Sequence, residues 1–402
     1  MMSKKPIDAV VAGHICIDLI PGFEPGRRYA LDEIIVPGKL IAIQGASIST
    51  GGPVSNTGLP MLKLGADVRL MGKLGDDFFG EAILSLLRER GADEGMTVVK
   101  GERTSYTVVI APPGVDRCFL HDPGANHTFC YEDVDFDLVA RAKLFHLGYP
   151  PLMARMYARN GVELVRVMRR AKAVGATTSL DMALPDPTSP AGKANWLAIL
   201  EAVLPHTDVF LPSVEETMYM LDRARFLELR QAASQRDILD LISADMISQM
   251  GTQLVKMGAP IVGLKCGSRG LYLRTGTAAA LQGLGRARPK SPEDWANREV
   301  FEPSFHVKRV ASTNGSGDCT IAGFLCAFLR GESLESSARY ACAVGAHNVM
   351  VMDAVSGVKT WAETTDAIAR GWAKNPVKLT GSGWTFNKGL RSWFGPNDRG
   401  KA

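Results

Sequence analysis

Residues 311–331, ASTNGSGDCTIAGFLCAFLRG, join a loop of small residues to an apolar helix. Apolar side chains recur at helical spacing, at Ile321, Phe324, Leu325 and Phe328. Gly331 follows as a C-terminal cap. The preceding loop has almost no side-chain bulk, so a ligand can approach its backbone closely. Because the first turn of a helix leaves N–H groups unpaired, the stretch predicts an anion site beside Asp318. An ordinary capped helix is the alternative, since aspartate is a favoured N-cap residue.

The composition is that of a soluble globular protein. The 402 residues are 46% hydrophobic and 22% charged, which predicts one large α/β domain or two smaller ones. The net charge of +4 is small, so nucleic acid is not expected as a partner. The seven cysteines form no C-x-x-C pair, which fits a reducing cytoplasm and supports neither a zinc site nor a disulfide framework. Since no apolar run reaches about 18 residues, no membrane span is predicted.

Short apolar runs alternate with helical patterns along most of the chain. Predicted strands lie at 9–13, 68–72, 144–148, 177–181, 208–212, 260–267 and 270–274, and predicted helices at 78–91, 160–173 and 194–204. This alternation predicts the α/β class, with a mostly parallel sheet covered by helices on both faces. In open sheets of this kind, ligands bind beyond the carboxyl ends of the strands.

Two segments, 34–50 and 104–121, have strand character without intervening helices. We expect them to form a small antiparallel flap that acts as a lid over the main sheet. From residue 375 onwards, basic residues far outnumber acidic ones. The sequence therefore predicts one domain over residues 1–374 and a basic, loosely ordered C-terminal tail over 375–402.

Further polar residues stand near the ends of predicted strands. Gly51 and Gly52 allow a tight turn into a helix, in which Asn56 lies one turn from the start. Asp18 follows the first strand, where a carboxylate can accept hydrogen bonds from two hydroxyls of a polyol. Lys73 follows another strand and is predicted to face the same ligand. Each residue also has a structural interpretation, as part of a capped core helix, a turn or the surface.

Taken in order, these motifs resemble those of the ribokinase/PfkB family of carbohydrate kinases. GKLGDDFFG (72–80) resembles the first family signature, and STNGSGDCTIAGFLCAFLRG (312–331) resembles the second, D-T-x-G-A-G-D before a small-residue helix. The glycine pair with Asn56, the early Asp18 and the turn KCGSRG (265–270) fall in the family's order. The resemblance spans roughly residues 7–360. It implies a ribokinase-like three-layer α/β/α sandwich with a mostly parallel central sheet and a small β-flap lid.

The resemblance also implies an ATP-dependent phosphotransferase that moves the γ-phosphate of ATP to a hydroxyl of a sugar or sugar-like substrate, with Mg²⁺ as cofactor. Asp318 would be the general base, and Gly315, Ser316 and Gly317 would form the anion hole. The predicted substrate-binding residues are Asp18, Gly51, Gly52, Asn56, Lys73 and Asn126. The predicted ATP-binding residues are Lys265, Gly267, Gly270, Thr313, Asn314 and Ala346. Glu216 is the predicted metal-binding residue.

Two positions depart from the family pattern. Ser312 stands where the family usually has an aspartate that helps to organise a monovalent-cation site, so activation by K⁺ is left open. Ser213 replaces the asparagine of the N-x-x-E motif, whose glutamate is kept as Glu216. A nucleoside kinase of the same family and a non-catalytic sugar-binding pseudokinase are the alternative functions. An exposed lid edge is also predicted to support a homodimer.

Overall fold

The computed structural model describes residues 7–24, 26–113, 118–234 and 236–398. The strands are β1 (Ile7–Gly13), β2 (Cys16–Pro21), β3 (Ala46–Gly51), β4 (Val68–Gly75), β5 (Met96–Val99), β6 (Tyr106–Ile110), β7 (Cys118–Asp122), β8 (Ala142–Gly148), β9 (Thr177–Leu180), β10 (Val209–Phe210), β11 (Ile261–Lys265), β12 (Gly270–Thr275), β13 (Glu299–Pro303), β14 (Thr385–Asn387) and β15 (Ser392–Phe394). The helices are α1 (Leu31–Ile34), α2 (Pro53–Lys63), α3 (Phe78–Arg88), α4 (Phe136–Val139), α5 (Ala154–Ala173, kinked at 158–161), α6 (Pro190–Lys193), α7 (Trp196–Val203), α8 (Val214–Leu221), α9 (Arg223–Ala233), α10 (Ala244–Lys256), α11 (Ala278–Gln282), α12 (Pro292–Trp295), α13 (Ser316–Arg330), α14 (Leu334–Asn348) and α15 (Trp361–Ala369).

The main sheet has the strand order β14-β15-β13-β12-β11-β10-β9-β8-β1-β4-β5. Neighbours from β11 to β5 run parallel, whereas β12, β13, β15 and β14 add antiparallel pairs at one side. Alternate residues of β1 enter two separate apolar cores, Val10 on one face and Val11 on the other. Helices cover both faces, so the predicted three-layer α/β/α sandwich is confirmed.

The lid is a smaller sheet with the order β3-β2-β6-β7. Its β3, β6 and β7 overlap the predicted segments 34–50 and 104–121, so the prediction of a small β-flap is confirmed. Two details differ. Strand β2 follows β1 after two residues and was not expected in the lid, and it pairs parallel to β6. Residues 35–45 form no strand.

The C-terminal segment differs from the predicted loose tail. Strands β14 and β15 form a hairpin that extends the main sheet, with Phe394 opposite Val300 of β13. Glu302 on β13 is fully buried, and its carboxylate accepts a hydrogen bond from Ser392 and lies 2.5 Å from Lys374 Nζ. A buried carboxylate needs such partners, so this contact helps to hold the hairpin on the sheet. Residues 399–402 lie outside the described chain.

The carboxyl ends of β1 and β8 meet closely at the centre of the parallel part of the sheet. A Cβ at Gly13 would lie 2.5 Å from the Gly148 carbonyl oxygen, so glycine is required where the two strands end together. This junction brings the residues after β1 beside the residues after β8. Within the described ranges, no helix is both long and apolar enough to cross a bilayer.

Candidate active site

Helix α13 begins at the loop that the sequence singled out. Gly315 is its N-cap, with a φ of 67°, and a Cβ there would lie 2.3 Å from the Ala354 carbonyl oxygen. Only glycine fits this left-handed, closely packed position. Gly317 has more room, since a Cβ there would first meet Lys265 Cδ at 3.6 Å. The backbone at both glycines therefore carries no side chain, so a ligand can approach its N–H groups closely, as an anion site requires.

Asp318 lies in the first turn of α13 and is 3% exposed. Tyr149 donates its hydroxyl hydrogen bond to both carboxylate oxygens, with both O···O distances at 3.0 Å. Burial raises the pKa of Asp318 to about 6, although Lys265 and hydrogen bonds from Tyr149 and Asn56 favour the charged form. The carboxylate is therefore desolvated yet held by donors, which suits a general base at neutral pH.

Asp18 forms the second acidic centre, on the lid strand β2, and is 6% exposed. Its carboxylate accepts a hydrogen bond from Cys16 Sγ at 3.5 Å and bonds with the side chains of Thr107 and Asn314. Burial raises its pKa to about 6. A Cβ on Gly51 would lie 2.5 Å from Asp18 Oδ1, so this glycine makes room for the carboxylate. Asn314 was predicted on the ATP side, but its side chain connects the α13 loop to Asp18.

The structure brings Asp18, Gly51, Gly52 and Asn56 to the same end of the sheet as Asp318. Gly52 has a φ of 84° and is the N-cap of α2, and a Cβ there would lie 2.6 Å from the His14 carbonyl oxygen. Asn56 is 5% exposed and bonds with the Asp318 carboxylate. Four of the six substrate-binding residues predicted from the sequence therefore lie with Asp318 around the space where the lid meets the main sheet.

Two histidines at this space were missed by the sequence analysis. His14 Nε2 and His121 Nε2 lie 3.3 Å apart, and His121 Nδ1 lies 3.0 Å from Thr107 Oγ1. Burial lowers the pKa of both imidazoles, so both are neutral at pH 7. His121 belongs to lid strand β7 and His14 follows β1, so the pair connects the lid to the main sheet. The position of His14 directly after a buried strand was the available signal.

Lys265 lies at the end of β11 beneath the α13 loop. Its Nζ lies 2.6 Å from Asp181 Oδ1. Burial opposes the charge on Lys265, but the carboxylates of Asp181 and Glu216 outweigh this effect and raise its pKa. Asp181 is fully buried, and its Oδ2 has no hydrogen-bond partner within the described residues. Asp181 was not predicted as a site residue, although it is the last residue of the predicted strand 177–181.

Glu216 is engaged in the start of its own helix. Its Oε2 accepts a hydrogen bond from the Ser213 N–H at 2.6 Å, while Ser213 Oγ accepts one from the Glu216 N–H at 3.1 Å. The two residues form a capping box. Ser213, which stands where the family has asparagine, therefore caps the start of α8. No three His, Cys, Asp or Glu side chains in the described ranges are arranged to hold a metal ion. The residues fit Mg²⁺ only as an ion shared with waters and phosphate oxygens.

Two predicted substrate-binding residues have structural roles instead. Asn126 is fully buried, and its amide both accepts from the Ile15 N–H at 3.1 Å and donates to the Ile15 carbonyl at 2.8 Å. Lys73 is buried, and its Nζ forms ion pairs with the half-buried Glu102 at 3.2 Å and Asp133 at 3.5 Å. The geometry therefore does not support the prediction that either side chain binds sugar, because their polar atoms already have partners.

The predicted ATP-side residues are spread over neighbouring turns. Gly270 has a φ of 131°, and a Cβ there would lie 2.0 Å from the Glu302 carbonyl oxygen. The fold itself therefore requires glycine at this position. Gly267 also occupies a turn, with a φ of 51°. Ala346 packs in the apolar core beside α13, whereas Thr313 is exposed in the loop. In the same loop, Ser312 Oγ accepts a hydrogen bond from the Asn314 N–H.

An apolar cavity that the sequence did not predict opens beside this loop. It has a volume of about 760 Å³. Its lining includes Ala311, His306, Met350, Met352 and Trp372. Ala311 comes directly before Ser312, so the cavity borders the approach to the α13 loop.

Comparisons with known proteins identify the family of the chain. A family profile described as pfkB family carbohydrate kinase matches residues 7–361. The chain is 24% identical over 277 residues to an uncharacterized sugar kinase of Archaeoglobus fulgidus, covering 69% of this chain and 89% of that protein. It is 32% identical over 134 residues to fructokinase-1 of Oryza sativa subsp. japonica, covering 33% of this chain and 41% of that protein.

Solved structures share the fold. The structure of Arabidopsis thaliana ribokinase complexed with ribose and ATP aligns with a TM-score of 0.65 and 20% identity, over 90% of this chain and 98% of that chain. Fructokinase with bound ATP from Xylella fastidiosa aligns with a TM-score of 0.64 and 20% identity, over the same shares of the two chains. The matched range agrees with the resemblance found over roughly residues 7–360. The chain therefore belongs to the pfkB family of carbohydrate kinases.

Proposed function

We propose that this kinase transfers the γ-phosphoryl group of ATP to a hydroxyl of a sugar or sugar-like acceptor bound between Asp18 and Asp318. The observation that carries the proposal is the buried Asp318 carboxylate at the start of α13, whose pKa burial raises to about 6. Such a group is ionised at neutral pH and is a stronger base than an exposed aspartate. Asn314 joins its loop to Asp18, so hydroxyls bound by Asp18 would lie beside the base.

The proposed step balances without a covalent enzyme intermediate. Asp318 takes the proton of the acceptor hydroxyl, and the acceptor oxygen forms a bond to the γ-phosphorus. The bond from that phosphorus to the oxygen bridging the β- and γ-phosphates breaks, and ADP leaves. Backbone N–H groups at Gly315, Ser316 and Gly317 would hold the charge on the transferred group.

Two further groups would support the phosphates. The cation of Lys265 lies beneath Gly317 and would complement their charge, since its pKa is raised by Asp181 and Glu216 against the effect of burial. Glu216, together with waters and phosphate oxygens, would hold Mg²⁺, which neutralises phosphate charge when bound. The structure of a ribokinase II from E. coli in complex with ATP and Mg²⁺, which is 19% identical with a TM-score of 0.64, is consistent with this requirement.

The adenine base has a suitable neighbourhood in the apolar cavity beside the loop. The exposed His306 and the edge of Trp372, which packs against Phe305 and His347, line it together with the flexible apolar side chains of Met350 and Met352. The cavity volume of about 760 Å³ is within the range of small-molecule sites. The lid would close over the acceptor through the His14–His121 contact and exclude water, which competes as a phosphoryl acceptor.

An assay of ADP release with ATP, Mg²⁺ and a panel of sugars, sugar phosphates and nucleosides tests the function. We expect release that depends on a sugar or sugar-like compound, and loss of this release in Asp318→Asn. The matched control is Asp366→Asn, since Asp366 is an exposed helix residue paired with Arg370. Activity with nucleosides alone would favour the nucleoside kinase. Sugar binding in calorimetry without turnover would favour a sugar-binding pseudokinase. The same assay with and without K⁺ tests activation by a monovalent cation. The cytoplasmic location of the protein stays a prediction.

We also propose that the lid supports a homodimer. The lid's outer strands are β3 and β7, and they carry the exposed apolar side chains Ile48 (49%) and Leu120 (58%). Light scattering should give about twice the mass of one 43.3 kDa chain, and Leu120→Lys should halve it. Leu227→Lys, at an exposed position on α9, is the matched control. A monomeric wild type would contradict the proposal.

A further inference from the structure

Tyr149 adopts a backbone conformation that is costly for its residue type. Its φ and ψ are 61° and 47°, in the left-handed region, which glycine adopts readily and a bulky residue such as tyrosine rarely does. It also precedes Pro150, and residues before proline usually take extended conformations. Such strain persists only where the surroundings impose it, and it concentrates at functional sites. We therefore expect the contacts of the Tyr149 side chain to explain this backbone conformation.

The side chain of Tyr149 reaches from the end of β8 to the start of α13. Its hydroxyl lies 3.0 Å from each carboxylate oxygen of Asp318, so one proton serves both oxygens. The ring lies 6.2 Å from the His14 ring, between centroids. Each carboxylate oxygen has two acceptor positions, so the contact leaves room for the hydroxyl of an acceptor. Burial and the nearby Asp318 raise the pKa of Tyr149, so the phenol stays protonated and remains a donor.

We infer that Tyr149 is a positioning residue that orients the Asp318 carboxylate and keeps it ionised for proton abstraction, an inference that rests on the proposed function. The strained turn at 148–151 places the phenol where a relaxed backbone would not. A donor to the charged form of a buried carboxylate offsets part of the cost of its desolvation. The same donor fixes the plane of the carboxylate and leaves its remaining lone pairs for the hydroxyl of an acceptor.

Other groups around Asp318 act in different directions. Lys265 on β11 favours its charged form, and so does the Asn56 amide on α2. Glu216 on α8 disfavours the charged form, and Asp181 after β9 adds a further carboxylate close to Lys265. Tyr149 is the donor whose removal leaves all of these groups in place. Its contribution can therefore be separated from theirs by deleting one oxygen atom.

The test is Tyr149→Phe, which keeps the ring and removes only the hydroxyl. The matched control is Tyr340→Phe. The hydroxyl of Tyr340 forms a hydrogen bond with the hydroxyl of Thr365, with an O···O distance of 2.7 Å, and not with Asp318. In the pH–rate profile, we expect the acid limb of kcat to move up by about one to two pH units, the effect of losing one hydrogen bond to a charged group. The alkaline plateau should stay within about threefold of wild type, because Asp318 still ionises there. An unmoved limb would overturn the inference.

A second readout does not require activity. Asp318→Asn is made in the wild-type and in the Tyr149→Phe background, and the stability difference that it causes is measured from pH 4 to pH 9. This difference changes between the unfolded pKa of 3.8 and the folded pKa of about 6, so its pH midpoint lies about halfway between them in the wild type. We expect a rise of about one to two units in the folded pKa to move this midpoint up by about half to one pH unit in the Tyr149→Phe background. An unchanged midpoint would overturn the inference even if the chain is an active kinase. A raised midpoint in a chain without sugar-dependent turnover would support the contact while the proposed function fails.

Discussion

Asp318→Asn should stabilise the folded protein at neutral pH while it removes the proposed base. Burial raises the pKa of Asp318 from its ordinary 3.8 to about 6, so holding the charged carboxylate in the fold costs about 3 kcal/mol. Asparagine carries no charge and can still accept the hydrogen bond from Tyr149. We therefore expect the free energy of unfolding at pH 8 to rise by about 2–3 kcal/mol. This gain should accompany the loss of activity, as is common for strained active sites.

The pH dependence follows from the direction of the shift. As pH falls through about 6, the folded wild type binds a proton that the unfolded chain does not yet bind, so wild-type stability rises. Near pH 4 and below, both states approach protonation, and the advantage of the variant should disappear. Urea unfolding of both proteins between pH 4 and pH 8 measures this, with Asp366→Asn as the exposed control. A variant that is no more stable at pH 8, or a difference that does not change with pH, would refute the reasoning.

Three further changes separate substrate contacts from structural ones. Asp18→Asn should raise the KM for the acceptor about 10- to 100-fold and leave the KM for ATP nearly unchanged in steady-state kinetics, since it loses hydrogen bonds to a charged group. Asn126→Ala should lower the free energy of unfolding by about 2–3 kcal/mol, measured with urea, because two buried backbone groups of Ile15 lose their partner, and the acceptor KM should not change. Gly317→Ala should fold with an unchanged melting temperature, since its Cβ meets nothing closer than 3.6 Å, yet lose at least about tenfold in kcat. Equal effects on acceptor and ATP, a changed acceptor KM in Asn126→Ala, or full activity of Gly317→Ala would each contradict the corresponding assignment.

The parts of the site that lie within one local motif were predictable from the sequence. Asp318 and Gly315 occur in a single loop-to-helix stretch, where residue type and spacing already indicate an anion site. The parallel part of the sheet was also predictable, because strands buried on both faces form continuous apolar runs. The order of the strands then decides which strand ends meet, and this order is a long-range property.

The residues that were missed depend on that long-range order. Tyr149 meets Asp318 across 169 positions, and His14 meets His121 across 107 positions. No local spacing reveals such contacts. Asn126 was assigned to the sugar because its partner is also distant in the sequence. The backbone N–H and carbonyl of Ile15 bond with the two ends of its side-chain amide, and the sequence around Asn126 does not reveal this.

The C-terminal segment was misjudged because its lysines and arginines indicate solvent exposure when viewed alone. The buried carboxylate of Glu302, which lies about 70 residues earlier, receives Lys374 and Ser392 and orders the segment on the sheet. The composition of the segment therefore gives the sign of its net charge, but it does not reveal the contact with Glu302.

The central claim is that Asp318 removes the acceptor proton during phosphoryl transfer. A single-turnover experiment, with enzyme in excess over labelled ATP and with the best acceptor of the panel, measures this step apart from product release. Calorimetry on the same proteins measures ATP and acceptor binding. The account predicts that Asp318→Asn binds both ligands within a few-fold of wild type but transfers the phosphoryl group about 10²- to 10⁴-fold more slowly. Transfer by the variant within tenfold of the wild-type rate would contradict the account.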